Sequence, residues 1–389
     1  MRHLLVVLAL LALPINLSAQ SDGTHKTASL LGGTYSNTTG TPFALIMMFD
    51  YNKWVENRKS DPNAPIPQPI YQCSGALVAP NLILTAAHCI MPDFAARGHL
   101  ANINGKSYLA SNIEKHPRYV YLDYKSTNPK KRALNLYTDV GVITLSENIT
   151  DVTPLPILVD EPLSAGESVV SNGFGTNETV PLPATSINDL LLAFRSAALS
   201  VSKVNNWSFV TSYSLGHTTV CGGDSGGPVT RDLGNYRGIL GVNSLTTVTS
   251  INDQSQCVVR SDGSNGDIDE FPLLGSKIAL PFLRKFSGIQ FLSGRFIRFA
   301  NALPQLIQAS STSTTATTLA ELKNNAQQIL QILPPLRILG NTKRRQILNQ
   351  IKTTATKAFR AKTIAIAQKW LQKVPPLVTK LSQLSIAAA

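Results

Sequence analysis

Ser225 lies in Cys221-Gly222-Gly223-Asp224-Ser225-Gly226-Gly227-Pro228. A serine flanked this densely by glycine marks a backbone that turns sharply and can bring N–H groups close to a ligand. A hydroxyl is a poor nucleophile until a neighbouring base takes its proton, and that base needs a group to orient it. The chain offers both. His88 falls near the end of Leu84-Thr85-Ala86-Ala87-His88-Cys89, and Asp139 opens Asp139-Val140-Gly141-Val142-Ile143-Thr144-Leu145. A carboxylate at the head of an apolar strand is costly unless a polar group meets it. Taken alone, His88 reads as a satisfied core histidine and Ser225 as part of a turn. Taken together, the three are the parts of nucleophilic acyl transfer.

The elements around them are short strands. Residues 75–79, 82–84, 140–145, 168–171 and 238–243 are rich in Val, Ile and Leu and bounded by Gly, Pro, Asn or Asp, a pattern that favours a sandwich or barrel. No long 3.6-residue period interrupts them before about residue 276, where 277–286 predicts a short helix. Residues 309–318, all Ser, Thr and Ala, predict a linker that could carry O-glycans. Beyond it, Leu319, Leu322, Ala326, Ile329, Leu330 and Leu333 follow helical spacing, as do Ile347, Leu348, Ile351, Ala355, Ala358 and Phe359. The segment 330–336 recurs in weak form at 371–377, each copy reading as a helix stopped by a proline pair.

Three segments together resemble the chymotrypsin/trypsin-like serine protease family: Thr85-Ala86-Ala87-His88-Cys89, the Asp139 strand, and Gly223-Asp224-Ser225-Gly226-Gly227-Pro228, in that chain order. Cys73-Ser74-Gly75-Ala76-Leu77-Val78, His116-Pro117-Arg118-Tyr119 and Asn172-Gly173-Phe174-Gly175 add to the likeness, which spans roughly residues 30–290. The resemblance implies a mainly β chain, two packed antiparallel six-stranded barrels with a cleft between them, followed here by an α-helical extension. It implies Ser225 as nucleophile, His88 as general base and acid, Asp139 as its orienting partner, and an oxyanion hole from the N–H groups of Gly223 and Ser225. Four cysteines allow three pairings; the resemblance selects Cys73–Cys89 and Cys221–Cys257. It also implies that a new N-terminus at Leu30 pairs with Asp224, although Ser29 in place of a basic residue makes a tryptic cut there unexpected. Thr219 and Val220, at the base of the implied pocket, carry no charge, and Ser244-Leu245-Thr246 matches the substrate-pairing strand. Small or medium apolar residues before the cut are therefore expected, rather than Arg or Lys. The competing reading is a protease-fold binding or inhibitor protein that turns nothing over.

Composition sets the frame. At 389 residues, 43% hydrophobic and 15% charged, the chain is too apolar for a disordered protein. Its net charge of +12 is unevenly placed. Residues 301–389 hold twelve of the 35 Lys and Arg and one of the 23 acids, Glu321, leaving residues 1–300 nearly neutral. Arg2 and His3 before the apolar run Leu4–Leu13, with Ser18-Ala19 after it, read as a secretory signal over 1–19, followed by a short propeptide over 20–29. Secretion permits disulfides and gives meaning to the sequons at Asn37, Asn148, Asn177 and Asn206. The organisation expected is thus a protease domain over 30–290, a linker over 291–318 and a basic helical region over 319–389. Partners expected are protein or peptide substrates and, through the basic region, an anionic surface such as a membrane, cell wall or glycan. No metal or cofactor is implied, since no Cys-X-X-Cys is present, and sparse aromatics (Phe359, Trp370) argue against nucleic acid.

Overall fold

A computed structural model describes residues 34–35, 40–67, 71–90, 97–121, 123, 126–175, 194–212, 220, 222–246, 268–312, 315–336 and 342–386. The chain forms two compact units, Met1–Leu292 and Ser293–Ala389.

After a short β1 (Thr34–Tyr35), the first unit opens with six antiparallel strands: β2 (Phe43–Asp50), β3 (Tyr71–Ala79), β4 (Leu82–Thr85), β5 (Arg97–Ile103), β6 (Lys106–Lys115) and β7 (Gly141–Leu145). They close as a barrel in the order β2-β3-β4-β7-β6-β5. Alternation along β2 explains how one strand serves two cores. Ala44 and Ile46 join Leu77, Ile83 and Ile143 in one cluster, while Phe43, Leu45, Met47 and Phe49 join Trp54, Phe174 and Phe194 in another.

The second sheet uses β8 (Ile157–Val159), β9 (Ser168–Gly173), β10 (Arg195–Val204), β11 (Ser208–Ser212), β12 (Pro228–Leu233), β13 (Tyr236–Val242), β14 (Leu245–Thr246), β15 (Ile268–Pro272) and β16 (Phe291–Ser293). Its central run, β15-β11-β10-β9-β12-β13, curls until its ends meet: Gly241 of β13 bridges Leu273, just past β15, and Leu274 N–H donates to Leu240 O at 2.9 Å. Six antiparallel strands thus form the second barrel, with β14, β8, β16 and β1 at its margins. One pairing departs from the expected antiparallel rule, since β8 runs parallel to β13 at Ile157 and Ile239. Ala76, Val78, Leu84 and Val142 of the first barrel pack with Ile239, Val242, Leu274 and Phe282 around the second, so one apolar cluster joins the two barrels.

Two helices escape the sequence reading. α1 (Tyr51–Ser60) is capped by Asp50, whose side chain accepts from Lys53 N–H, and buries only Trp54 against Phe49. α2 (Pro129–Tyr137) is capped by Asn128, starts on proline and buries Asn135 and Leu136. Neither presents a stripe long enough to register as a period. The short α3 (Ala279–Leu283) lies inside the helical stretch predicted over 277–286.

The second unit holds α4 (Gly294–Thr312), α5 (Leu319–Leu336), α6 (Thr342–Phe359), α7 (Ile364–Leu371) and α8 (Val374–Ile386) around one apolar core. The linker expected over 291–318 is corrected: α4 occupies most of it. Ala302, Leu306 and Ala309 are buried in the core, and the hydroxyls of Ser310, Ser311 and Thr312 donate back to carbonyls of Ile307, Gln308 and Ala309, so a polar run stays helical. The second proline pair is corrected as well. Pro334 and Pro335 lie in the last turn of α5, where that helix ends, but Pro375 and Pro376 open α8 instead of ending α7, a position where the missing N–H has no intrahelical partner to lose.

Buried on β5, His99 is 4% exposed and its Nε2 has no hydrogen-bond partner among the described residues. Burial pushes its pKa down to about 4, below the ordinary value of 6.5. The fold therefore favours the neutral ring, and this contribution is complete above pH 6.5 and is lost as pH falls towards 4. Roughly 3 kcal/mol of stability should disappear over that range. Urea unfolding at pH 7 and pH 4 checks this: His99→Leu should show a smaller acid loss than the parent chain.

Candidate active site

Asp139 follows α2, whose last turn fixes it through Asp139 N–H to Leu136 O at 3.2 Å. The residue is 3% exposed. Its carboxylate accepts the backbone N–H of His88 (2.9 Å), the His88 ring at Nδ1 (2.7 Å) and the Ser244 hydroxyl (2.6 Å). Three donors to one carboxylate offset the cost of its burial.

His88 sits in a 3-10 turn, Ala87–Ile90, at the end of β4. The next residue, Cys89, is disulfide-bonded to Cys73 on β3, closing a loop with a sequence separation of 16. A loop of that length contributes about 3 kcal/mol by chain entropy. Burial opposes charging of the His88 ring, but the Asp139 charge and hydrogen bond outweigh it, and the pKa is raised. Because Nδ1–H points at Asp139, the neutral ring leaves Nε2 free to accept a proton. Cys73, His88 and Cys89 place their ligand atoms within 4.8 Å of one another. The two sulfurs are bonded to each other, so that cluster offers a metal only an imidazole.

Ser225 occupies a turn that only glycine permits. Gly223 and Gly226 have φ of +93° and +78°, and a Cβ on Gly226 would overlap the Thr85 hydroxyl and the Ser74 carbonyl. Asn243 ties the turn down through Nδ2 to Asp224 O (2.9 Å) and by accepting Gly226 N–H (2.7 Å). Ser74 N–H donates to Ser225 O at 2.7 Å, and Cys89 Sγ lies 3.5 Å from that same oxygen. The backbone of Ser225 is thereby set beside the residue that follows His88. Among the described residues no hydrogen bond joins Ser225 Oγ to His88.

Beside it, Asp224 is fully buried and accepts Gly175 N–H at 2.8 Å, in a space that Gly173 and Gly175 keep open. The Ser74 hydroxyl donates to Gly223 O (2.8 Å) and accepts Phe174 N–H (2.9 Å). Val220 is buried and donates its N–H to Asp269 Oδ2 at 3.1 Å. Leu245 and Thr246 of β14 pair with Glu270 and Asp269 of β15. Thr219, Cys221, Cys257 and Leu30 lie outside the described residues, and with them the second disulfide, the signal and the propeptide.

The sequence reading placed Ser244 on a substrate-pairing strand; its hydroxyl, in addition, donates to Asp139. It also missed Ser74 and Asp269. Nothing in the local sequence marks either, because each acts on a segment more than 45 positions away.

Comparison with known proteins places these features in context. The family model described as Trypsin matches residues 57–262. Limulus clotting factor C of Carcinoscorpius rotundicauda is 29% identical over 181 residues, covering 41% of this chain and 18% of the relative. The chymotrypsin of Phaedon cochleariae is 27% identical, covering 42% and 60%, and human kallikrein-2 is 29% identical, covering 40% and 64%. The chain thus spans from 18% to 71% of the length of the curated relatives it matches. A solved structure of mouse neuropsin, a serine protease, aligns over 64% of this chain and 95% of its own, with a TM-score of 0.40 and 16% identity.

The charge of Asp139 should be readable in its neighbour. With Asp139→Asn, burial alone acts on the His88 ring, so its pKa should fall from above the ordinary value of 6.5 to below it. Titration of the imidazole by NMR checks the sign; an unmoved pKa would show that Asp139 does not set it.

Proposed function

The chain belongs to the trypsin family, and from that premise we propose that it is a secreted serine endopeptidase acting through Ser225, His88 and Asp139. The observation that carries this reading is the buried Asp139 carboxylate 2.7 Å from His88 Nδ1, which leaves Nε2 as a base beside the Ser225 turn. Ser225 Oγ attacks the scissile carbonyl as His88 takes its proton. His88 then returns that proton to the leaving amine, and an acyl-enzyme remains. Water, deprotonated by the same ring, releases the acid. Among the described residues the N–H groups of Gly223 and Ser225 donate no hydrogen bond, whereas those of Gly226 and Gly227 do. Two unengaged donors beside the nucleophile suit a developing oxyanion.

Secretion is supported by the Cys73–Cys89 disulfide, and the sequons at Asn148 and Asn206 are exposed. Among the described residues no helix is long and apolar enough to cross a membrane. Activation by an N-terminus at Leu30 is supported by the buried Asp224, a carboxylate suited to an ammonium. In the same reading the basic C-terminal unit meets anionic surfaces, on the strength of its charge.

For specificity, uncharged Thr219 and Val220 favour an apolar residue before the cut. A second reading rests on Asp269, whose buried carboxylate is hydrogen-bonded to Val220 and sits opposite Thr246. A negative charge there favours a cationic side chain.

Two measurements test the proposal. A fluorophosphonate probe should label the processed chain, and Ser225→Ala should abolish labelling and lower kcat by at least about 10⁴-fold. Absence of Ser225-dependent labelling would instead indicate a binding protein. Fluorogenic peptides ending in Ala, Leu or Arg separate the two specificities. Preference for Ala or Leu supports the first; preference for Arg that Asp269→Ser removes supports the second.

A further inference from the structure

Residues 293–389 carry 14 Lys and Arg and one acid, Glu321. That acid is occupied as a helix cap: its carboxylate accepts the N–H groups of Thr317 and Thr318 at 3.0 and 3.1 Å. The apolar stripes of α5 and α6 are consumed as well. Leu322, Ile329, Leu348, Ile351 and Ala355 are fully buried in the core of the unit. These helices therefore cannot lie flat in a bilayer without opening the bundle.

One corner stays outside. Phe359, Ile364 and Ile366 are 40, 42 and 45% exposed, three large apolar side chains within eight residues where α6 turns into α7. Lys352, Lys357, Arg360 and Lys362 line an open cleft of about 740 Å³ there, with Ile366 and Trp370 as its apolar wall. The ammonium groups of Lys357 and Lys373 lie 4.3 and 4.5 Å from the Trp370 ring centroid. Among the described residues none of these cations has a carboxylate within ion-pairing reach. Two ammonium groups already engage the ring, so it is a poor platform for a sugar or base. Cations around an exposed apolar tip, with a tryptophan at the boundary, match the chemistry of a phospholipid interface.

We propose that the α6–α7 corner docks on an anionic phospholipid surface. The cleft cations receive headgroup phosphates and carboxylates, and Phe359, Ile364 and Ile366 enter the headgroup–acyl boundary. This rests on the reading that the C-terminal unit meets anionic surfaces, and it names the surface and the residues.

The test sediments the full-length chain with phosphatidylcholine vesicles, with and without phosphatidylserine, and passes it over heparin in parallel. Binding is expected only with phosphatidylserine, and it should weaken as salt shortens the screening length from about 10 Å at 0.1 M to about 3 Å at 1 M. Lys357→Gln with Lys362→Gln should lower partitioning about thirtyfold. Ile364→Ser with Ile366→Ser should lower it several-fold, with thermal unfolding unchanged because both side chains face solvent, and should leave heparin retention as it was. A parent chain that ignores both vesicles and heparin would remove the broader reading. Vesicle binding that neither pair alters would leave that reading standing and overturn this corner as the site. Retention on heparin without vesicle binding would overturn the lipid in favour of a sulfated polymer.

Discussion

The Asp139 carboxylate, buried and met by three donors, is the interaction on which the site depends. Its donors come from two barrels. His88 supplies a backbone N–H and a ring nitrogen from the end of β4 in the first, and Ser244 supplies a hydroxyl just after β13 in the second. Taking an ion out of water costs several kcal/mol after relaxation, so this carboxylate is tolerable only where all three donors converge. The constraint acts in both directions. It orients the imidazole, and it ties the ends of two barrels together.

Ser74 makes a second stitch across the same seam. From β3 of the first barrel its N–H meets Ser225 O, and its hydroxyl joins Gly223 O to Phe174 N–H. Thr85 in turn donates to Ser74 O at 2.9 Å. These bonds need backbones to approach more closely than side chains allow, which explains the glycines at 223, 226 and 227. A Cβ on Gly227 would overlap Asn172 O and approach Asn243 Nδ2. The turn is thus shaped by what packs behind it.

Legibility in the sequence followed the range of each signal. Strands β3, β4, β7, β9 and β13 were readable because β-branched runs bounded by turn residues are local. The six-strand closure of the second barrel was not, since it rests on Gly241 meeting Leu273, a pairing that no window contains. Gly223, Asp224 and Ser225 announced themselves by glycine density. Ser74 and Asp269 did not, nor did the bond from Ser244 to Asp139, because a single hydroxyl or carboxylate acquires meaning only from the partner the fold delivers. The polar run at 309–312 misled for a related reason. Its composition argues for a linker, but side-chain hydroxyls can bond back to their own helix while Ala309 packs inward.

Electrostatics separate the two units further. The first is nearly neutral and places its buried charges in pairs, as Arg231 does with Glu161 and Glu167 at 3.3 and 2.6 Å. The second holds 14 cations with one acid, and self-repulsion of that size works against compaction. Aromatic rings relieve part of it: Arg344 lies over Phe299 at 5.7 Å, and Lys357 and Lys373 over Trp370. Bound anions would relieve it further. Whatever anion binds the folded bundle more tightly than the open chain therefore stabilises it by mass action. The cations that line its open cleft are among those whose mutual repulsion the folded unit must bear.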